Sequence, residues 1–286
     1  MASSRRSPSQ KYHDRVADRY DHSYSDAFWT WHDQLTWTYL KPYLPRNLNA
    51  RVLDLGCGTG KWGARIAKSG YPVTSVDNSH KMLDQARRRF AALGPSVRAE
   101  FVQSDIADLS GLPAANFSLA VALGDVLGCT SSPVQALKQI LRLLVHGGVL
   151  VAAFDNRLAS MDYYLSSGDP RTLTRFLKDG KTHWLTKDPQ ERFPIVTYAP
   201  SGVRSLVESV GYEVLELVGK TVLPMRHHRK LLATGPDRRA WARVERRLCR
   251  DPDALGRATH LQVACRRGRE ADARAAQRTE GRTRDG

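Results

Sequence analysis

Thirteen residues, Arg51 to Gly63, constrain this chain more than any other stretch: Arg-Val-Leu-Asp-Leu-Gly-Cys-Gly-Thr-Gly-Lys-Trp-Gly sets a short apolar run against four glycines, and an amphipathic stretch from Lys61 to Lys68 follows. That is the pattern of a buried strand, a tight turn and a helix. Gly56, Gly58 and Gly60 let the backbone take positive φ and approach a bound molecule, and the next helix offers unpaired N–H groups at its N-terminus. Such a turn binds a ligand. The spacing Gly58-x-Gly60-x-x-Gly63 also satisfies the dinucleotide fingerprint, so the turn alone leaves two readings open.

At 286 residues, 41% hydrophobic and 26% charged, the chain can bury a sizeable core in one large domain with additions. No apolar run approaches the roughly 18 to 20 residues that span a bilayer. Met1 to Gln10 is polar, without the apolar core of a leader peptide, and the expectation is a cytoplasmic protein with no membrane partner. Cys57, Cys129, Cys249 and Cys265 form no C-x-x-C pair, which argues against zinc and a disulfide framework and for reduced thiols. No metal site is expected.

The formal charge of +15 would point to an anionic partner if it were gathered at the glycine turn. It is not: basic residues outnumber acidic ones by 7 to 5 over 1–50, by 20 to 16 over 51–225, and by 17 to 8 over 226–286. Residues 267–286 have few large apolar residues and no apolar periodicity, and are expected to form a disordered basic tail. Within Asp237 to Arg250, a basic helix, Arg239, Arg243, Arg246 and Arg250 share one face, and Trp241, Val244 and Leu248 are expected to pack inward.

Ahead of the glycine turn, residues 11–45 are rich in aromatics, and Phe28, Trp31, Leu35 and Tyr39 recur at helical spacing until Pro42 and Pro45 end the segment. From Arg51 onward strand-like and helix-like patterns alternate. Strands are read at Val52 to Leu55, Pro72 to Asp77, Arg98 to Gln103, Phe117 to Leu123 and Val149 to Phe154. Helices are read at Lys61 to Ser69, Ser79 to Leu93 and Pro133 to Leu144. This β-α series predicts a parallel, doubly wound sheet that binds ligands beyond the carboxyl ends of its strands. The alternation lapses for about 45 residues after Asp155, which reads as an insertion over the site. It resumes with a helix from Ser201, a strand from Tyr212 to Val222, the basic helix, and a last strand from Thr259 to Arg266 that pairs with its predecessor at the sheet's edge.

Four turns carrying acids or glycines fall where the carboxyl edge of that sheet should be. Asp54 and the glycine turn follow the first strand, and Asp77 ends the second, 17 residues after Gly60, where a carboxylate can accept both hydroxyls of a ribose. Asp105 follows the third strand and can accept an adenine amino group; Leu123-Gly124-Asp125 follow the fourth.

With those residues in place, the stretch from Val52 to Arg266 resembles the class I S-adenosylmethionine-dependent methyltransferases, most specifically through Val52-Leu53-Asp54-Leu55-Gly56-Cys57-Gly58-Thr59-Gly60. The resemblance implies a Rossmann-like, doubly wound, seven-stranded sheet with the last strand antiparallel, S-adenosylmethionine as cofactor, and methyl transfer as the activity. It implies that Gly56 and Gly58 contact the methionine moiety, that Asp77, with Asn78 beside it, holds the ribose, and that Asp105 and Ile106 hold the adenine. The turn at Leu123-Gly124-Asp125 would close over the cofactor, with Asp54, Cys57 and Gly60 completing the site. Val145-His146-Gly147-Gly148-Val149-Leu150 looks like the family's glycine turn before the fifth strand, with His146 where a proline is common. Tyr12-x-x-x-x-Ala17-x-x-Tyr20-Asp21 looks like the lead-in helix of small-molecule members, and implies that Tyr20 sits over the sulfonium end.

For most of these residues a structural role competes: Asp54 can fix the glycine turn, Asp77 can anchor the helix after Ser79, and Asp105 can cap the Asp108 turn. The division expected is a helical cap over 1–45, a cofactor-binding core over 46–155, a substrate lid over 156–200, the rest of the core sheet over 201–266 and the tail beyond. A small-molecule acceptor is favoured, with Asp125, Asp155 or His183 able to take a hydroxyl proton. The rivals are an RNA methyltransferase, a non-catalytic cofactor-binding partner protein and a nicotinamide-dependent oxidoreductase. The acceptor atom and the oligomeric state stay open.

Overall fold

A computed structural model describes residues 6–165, 168–184 and 188–268. Helices α1 (Pro8–Val16) and α2 (Ala27–Leu40) precede the series β1 (Val52–Leu55), α3 (Lys61–Ala67), β2 (Val73–Asp77), α4 (His80–Ala91), β3 (Ala99–Gln103), β4 (Phe117–Ala122), α5 (Pro133–Leu143) and β5 (Leu144–Asp155). Next come α6 (Met161–Leu165), α7 (Pro170–Asp179) and a two-stranded hairpin, β6 (Lys181–His183) with β7 (Pro194–Val196). The chain then returns to the main sheet through α8 (Pro200–Glu208), β8 (Tyr212–Lys220), α9 (Gly235–Leu248), α10 (Pro252–Leu255) and β9 (His260–Arg267).

The main sheet has the order β3-β2-β1-β4-β5-β9-β8. Its inner pairs are parallel, and β9 lies between β5 and β8, antiparallel to both. The order reverses between β1 and β4, so a crevice opens beyond their carboxyl ends. All four residues of β1 are buried, as expected of a central parallel strand covered by helices on both faces. One face carries Ala136, Leu137, Ile140 and Leu143 of α5 with Val203 and Val207 of α8. Ala64, Ile66 and Ala67 of α3, with Leu40 of α2, cover the other face. At the β8 edge, Phe28, Trp31, Leu35 and Tyr39 of α2 pack on Val218, Met225 and Cys249, the burial their spacing predicts.

Two expectations need correction. Val244 of α9 is exposed; the inward stripe is Ala242, Glu245 and Cys249, because the Glu245 carboxylate accepts the N–H groups of Val222 at 2.7 Å and Leu223 at 3.1 Å and so turns that face toward the core. Arg267 belongs to β9, not to a tail, since its guanidinium donates to the carbonyl oxygens of Leu144 at 3.0 Å and Leu141 at 3.4 Å; residues 269–286 lie outside the described residues. The segment after Asp155 carries helices and a hairpin of its own. Among the described residues no helix is long and apolar enough to cross a membrane.

Candidate functional site

The glycine turn packs against three different neighbours. A Cβ on Gly56 would meet Val126 Cγ1 at 2.6 Å, and one on Gly63 would meet Asp54 Oδ2 at 2.6 Å. Gly58 differs: its φ is +53° and nothing lies within 4 Å of the place a Cβ would take. Gly124, across the crevice after β4, is likewise at positive φ, +95°, beside open space. These two backbones line a cradle that side chains at either position would fill. Gly60 starts α3 and packs on Ala86, while Cys57 is buried against Leu83 and Ala86 with its thiol pushed up by burial.

Two carboxylates stiffen the turn. Asp54 Oδ2 accepts the Gly63 N–H at 2.9 Å, and burial pushes the acid up to about 7. Asp77 bridges the ends of β1 and β2: Oδ2 accepts the Gly58 N–H at 2.8 Å and Oδ1 the Ser79 N–H at 2.9 Å. The anchoring bonds do not exhaust the carboxylate, because each of its oxygens has two lone pairs. Burial raises Asp77 above the ordinary carboxylate range, and the nearby His13 ring opposes that shift.

Asn78 accepts at its carbonyl from Gln10 Nε2 at 2.8 Å and from Gln103 Nε2 at 3.1 Å. Asp105 is exposed at the end of β3 and caps its own turn by accepting the Ala107 N–H at 2.8 Å. Ile106 and Leu123 are buried in the core on either side of the crevice.

Helix α1 closes this edge. Asp14 accepts from Ser79 Oγ at 2.6 Å, while Tyr12 sits 5.1 Å from the Phe193 ring, which stacks on Trp184 at 6.1 Å. Arg15 of the helix and Arg19 just beyond it pair with Glu191 at 3.6 and 2.8 Å, so the helix is tied to the segment after β5 as well as to the turn after β2. From His13 a run of rings follows the crevice: Tyr20 at 6.0 Å, Tyr24 at 4.9 Å from Tyr20, and Trp29 at 4.9 Å from Tyr24.

At the far end of those rings the structure brings together Asp125 and Asp155. Asp125 takes a left-handed φ of +57°, is buried, and accepts the Asp155 N–H at 3.2 Å through Oδ1, while Oδ2 has no hydrogen-bond partner among the described residues. Burial, with the Asp155 charge behind it, pushes Asp125 well above the carboxylate range, against the pull of the Asp155 and Gly128 N–H groups. Asp155 is half-buried and raised to about 6 by burial, against the pull of Arg226 and Lys220. His183, the third expected candidate, is not brought to this group; it lies on the exposed side of β6, opposite the buried Thr182. Three groups near the site have no local sequence signal: His13, His260 and the fully buried Lys220.

A reversed last strand, a glycine turn after β1 and acids at the ends of β1, β2 and β3 are the features that carry the resemblance to the class I S-adenosylmethionine-dependent methyltransferases, and the comparisons support it over the stretch that holds them. Residues 52–148 match the family model described as a methyltransferase domain. The uncharacterized methyltransferase YodH of Bacillus subtilis is 35% identical over 100 residues, covering 35% of this chain and 41% of that protein. Rabbit (Oryctolagus cuniculus) glycine N-methyltransferase is 34% identical over 148 residues, covering 46% of this chain and 48% of that protein. The chain thus spans less than half the length of each. A crystal structure of an S-adenosylmethionine-dependent methyltransferase from Mesorhizobium loti shares the fold, with a TM-score of 0.57 at 21% identity over 82% of this chain and 98% of that one.

The site fits the cofactor. Gly58 and Gly124 leave open space beside their backbones, and Asp77 is an acceptor fixed at the glycine turn by the Gly58 N–H.

Proposed function

We propose that this chain is an S-adenosylmethionine-dependent methyltransferase acting on an oxygen, nitrogen or carbon nucleophile of a small molecule. One observation carries the reading: the Asp77 carboxylate is clamped by the Gly58 and Ser79 N–H groups beside the open face of Gly58, at the sheet's switch point. When bound there, the cofactor supplies an electrophilic methyl carbon on a sulfonium. Gly56, Gly58, Gly124 and Asp54 form its methionine end, Asp77 and Asn78 its ribose end, and Asp105 with Ile106 its adenine end. Tyr20 presents a ring face to the cation. The chain's work is alignment and water exclusion, since a displacement at an activated methyl needs a lone pair in line with the breaking bond.

Helix α1 and residues 156–200 form the acceptor lid in this reading, supported by the Tyr12–Phe193 and Arg19–Glu191 contacts that join them over the edge. The basic face of α9 favours the RNA reading less: Arg250 is already paired with Glu216 at 2.7 Å, and Arg239, Arg243 and Arg246 are exposed on a helix whose inner side is packed. Mass spectrometry of ligand retained by the purified chain, followed by calorimetric titration with S-adenosylhomocysteine, tests the proposal. A bound dinucleotide, or no affinity for S-adenosylhomocysteine, rejects it. Salt-sensitive methylation of bulk RNA would keep the cofactor and reject the small-molecule acceptor.

A further inference from the structure

Three strands place Asp155, His260 and Lys220 side by side, because Asp155 pairs with His260 and His260 with Lys220 in the β5-β9-β8 register. Directly paired residues project from the same sheet face, here the face that α2 covers. His260 lies 4.7 Å from the His32 ring and 6.0 Å from Trp29, and its Nε2 is 3.5 Å from Asp155 Oδ1. The ring is therefore at the polar end of the aromatic wall that begins at the cofactor turn.

A chain of hydroxyls fixes which nitrogen of His260 is basic. Thr221 Oγ1 donates to the Lys220 carbonyl oxygen at 2.6 Å, which can only accept. Since a hydroxyl has one proton, the Thr259 hydroxyl must donate to Thr221 Oγ1, with which it is hydrogen-bonded. Thr259 Oγ1 is then the acceptor for His260 Nδ1–H at 2.9 Å. The neutral ring carries its proton on Nδ1, and the Nε2 lone pair points toward Asp155 and the cleft.

The relay is held by local strain. Thr221 has φ +57°, a conformation a β-branched residue rarely adopts, and the Glu245 carboxylate holds the next two N–H groups in place.

Resting on the methyltransferase reading above, we propose that His260 is the catalytic base for a hydroxyl-bearing acceptor that lies along the Tyr24 and Trp29 rings, with Thr259 and Thr221 as positioning residues. The acceptor oxygen forms the bond to the methyl carbon, the carbon–sulfur bond breaks with its electron pair left on sulfur, and the hydroxyl proton goes to His260 Nε2. The imidazolium so formed pairs with Asp155 and afterwards releases the proton to water. The charges around the ring suit a hydroxyl rather than an ammonium acceptor. Arg226 beyond β8 is cationic, Lys220 of β8 with its pKa at about 7 is half-charged near neutral pH, and Asp33 of α2 is neutralised by Lys61 of α3 at 2.8 Å, which leaves Asp155, 3.5 Å from the ring, as the nearest anion among these groups. Burial, Lys220, Lys61 and Arg226 push His32 well below the ordinary histidine range, and burial, His32, Lys220 and Arg226 push His260 down in the same way.

The test is nitrogen NMR of histidine-labelled full chain saturated with S-adenosylhomocysteine, with His260 assigned by loss of its signals in His260→Gln. At pH 7 the ring should be neutral and protonated on Nδ1; Thr259→Val should move the proton to Nε2, and Thr259→Ser should restore it. A wild-type ring protonated on Nε2, or one indifferent to Thr259→Val, overturns the relay. Added phenol should shift the His260 and Trp29 ring signals saturably, and benzylammonium should not; the reverse, or no shift by phenol, overturns the hydroxyl class. Calorimetry on the same samples should give S-adenosylhomocysteine affinities within twofold of wild type for His260→Gln and Thr259→Val. Failure of the wild type to bind would reject the methyltransferase reading instead, while the tautomer measured in the free chain would still decide the relay.

Discussion

Lys220 donates from its buried ammonium to Thr36 Oγ1 at 2.9 Å, joining the carboxyl end of β8 to the middle of α2. Burial depresses this lysine to about 7, against the pull of Asp33 and Asp155. A base whose folded-state pKa lies below its unfolded value costs stability wherever the folded state must hold the charge. Between about pH 7 and 10 the unfolded lysine binds the proton and the folded one does not, so wild-type stability should rise relative to Lys220→Met across that window. Urea unfolding of both proteins at pH 7 and pH 9 measures it. A constant difference would mean the lysine keeps its ordinary pKa.

Asp77→Ala should weaken S-adenosylhomocysteine binding at least tenfold, which is ~1.4 kcal/mol, within the range of a charge-assisted hydrogen bond. Calorimetry gives the number directly. Because the carboxylate also anchors the Gly58 and Ser79 N–H groups, some loss of melting temperature should accompany it. Unchanged affinity in a folded variant would remove the ribose assignment.

Two glycines of the same turn should fail differently. Gly63→Ala drives a methyl toward the buried Asp54 carboxylate and should lower stability by roughly 1 to 3 kcal/mol. Gly58→Ala has room in the folded chain and should cost only about 1 to 2 kcal/mol for its left-handed conformation, yet its methyl stands in the cradle. Its loss of cofactor affinity should exceed that of Gly63→Ala once both are compared as folded proteins. Thermal melts and calorimetry on the pair separate the two effects.

Tyr20→Leu should weaken S-adenosylmethionine more than S-adenosylhomocysteine, since only the former carries the sulfonium. A cation over a ring face is worth about 0.5 to 2 kcal/mol, roughly a two- to thirtyfold change in the affinity ratio. Equal losses for both ligands would make Tyr20 a packing residue for Val16, Ala17 and Met82, which it also touches.

Truncation after Gly268 should leave S-adenosylhomocysteine affinity and its salt dependence unchanged, whereas cutting after Arg266 removes the Arg267 bonds to Leu141 and Leu144 and should lower stability. Comparing the two truncations separates the end of β9 from whatever follows it. A salt slope that already falls with the cut after Gly268 would tie the C-terminal arginines to phosphates.

Much of the cofactor half is legible in the sequence because its determinants are local. The glycine turn, Asp77 and the Leu123-Gly124-Asp125 turn each sit within a few residues of a strand end, where periodicity marks them. The acceptor half is not. Asp155 and His260 are 105 residues apart, and become neighbours only because the last strand inserts between β5 and β8. Lys220 and Glu245 read as solvated charges in isolation, since nothing adjacent in sequence announces that α2 covers the first or that free N–H groups await the second. Val244 departs from expectation for the same reason: periodicity gives an apolar stripe, but a buried carboxylate with two donors rotates the helix away from it.

Helix α1 touches Ser79 and the Asp77 neighbourhood with one face and Phe193 and Glu191 with another. It cannot swing away from the cofactor turn without loosening its grip on the segment after β5, nor the reverse. If the crevice holds cofactor and acceptor as proposed, departure of the spent thioether and arrival of the next acceptor would then be events of one opening, with α1 as its hinge-side wall.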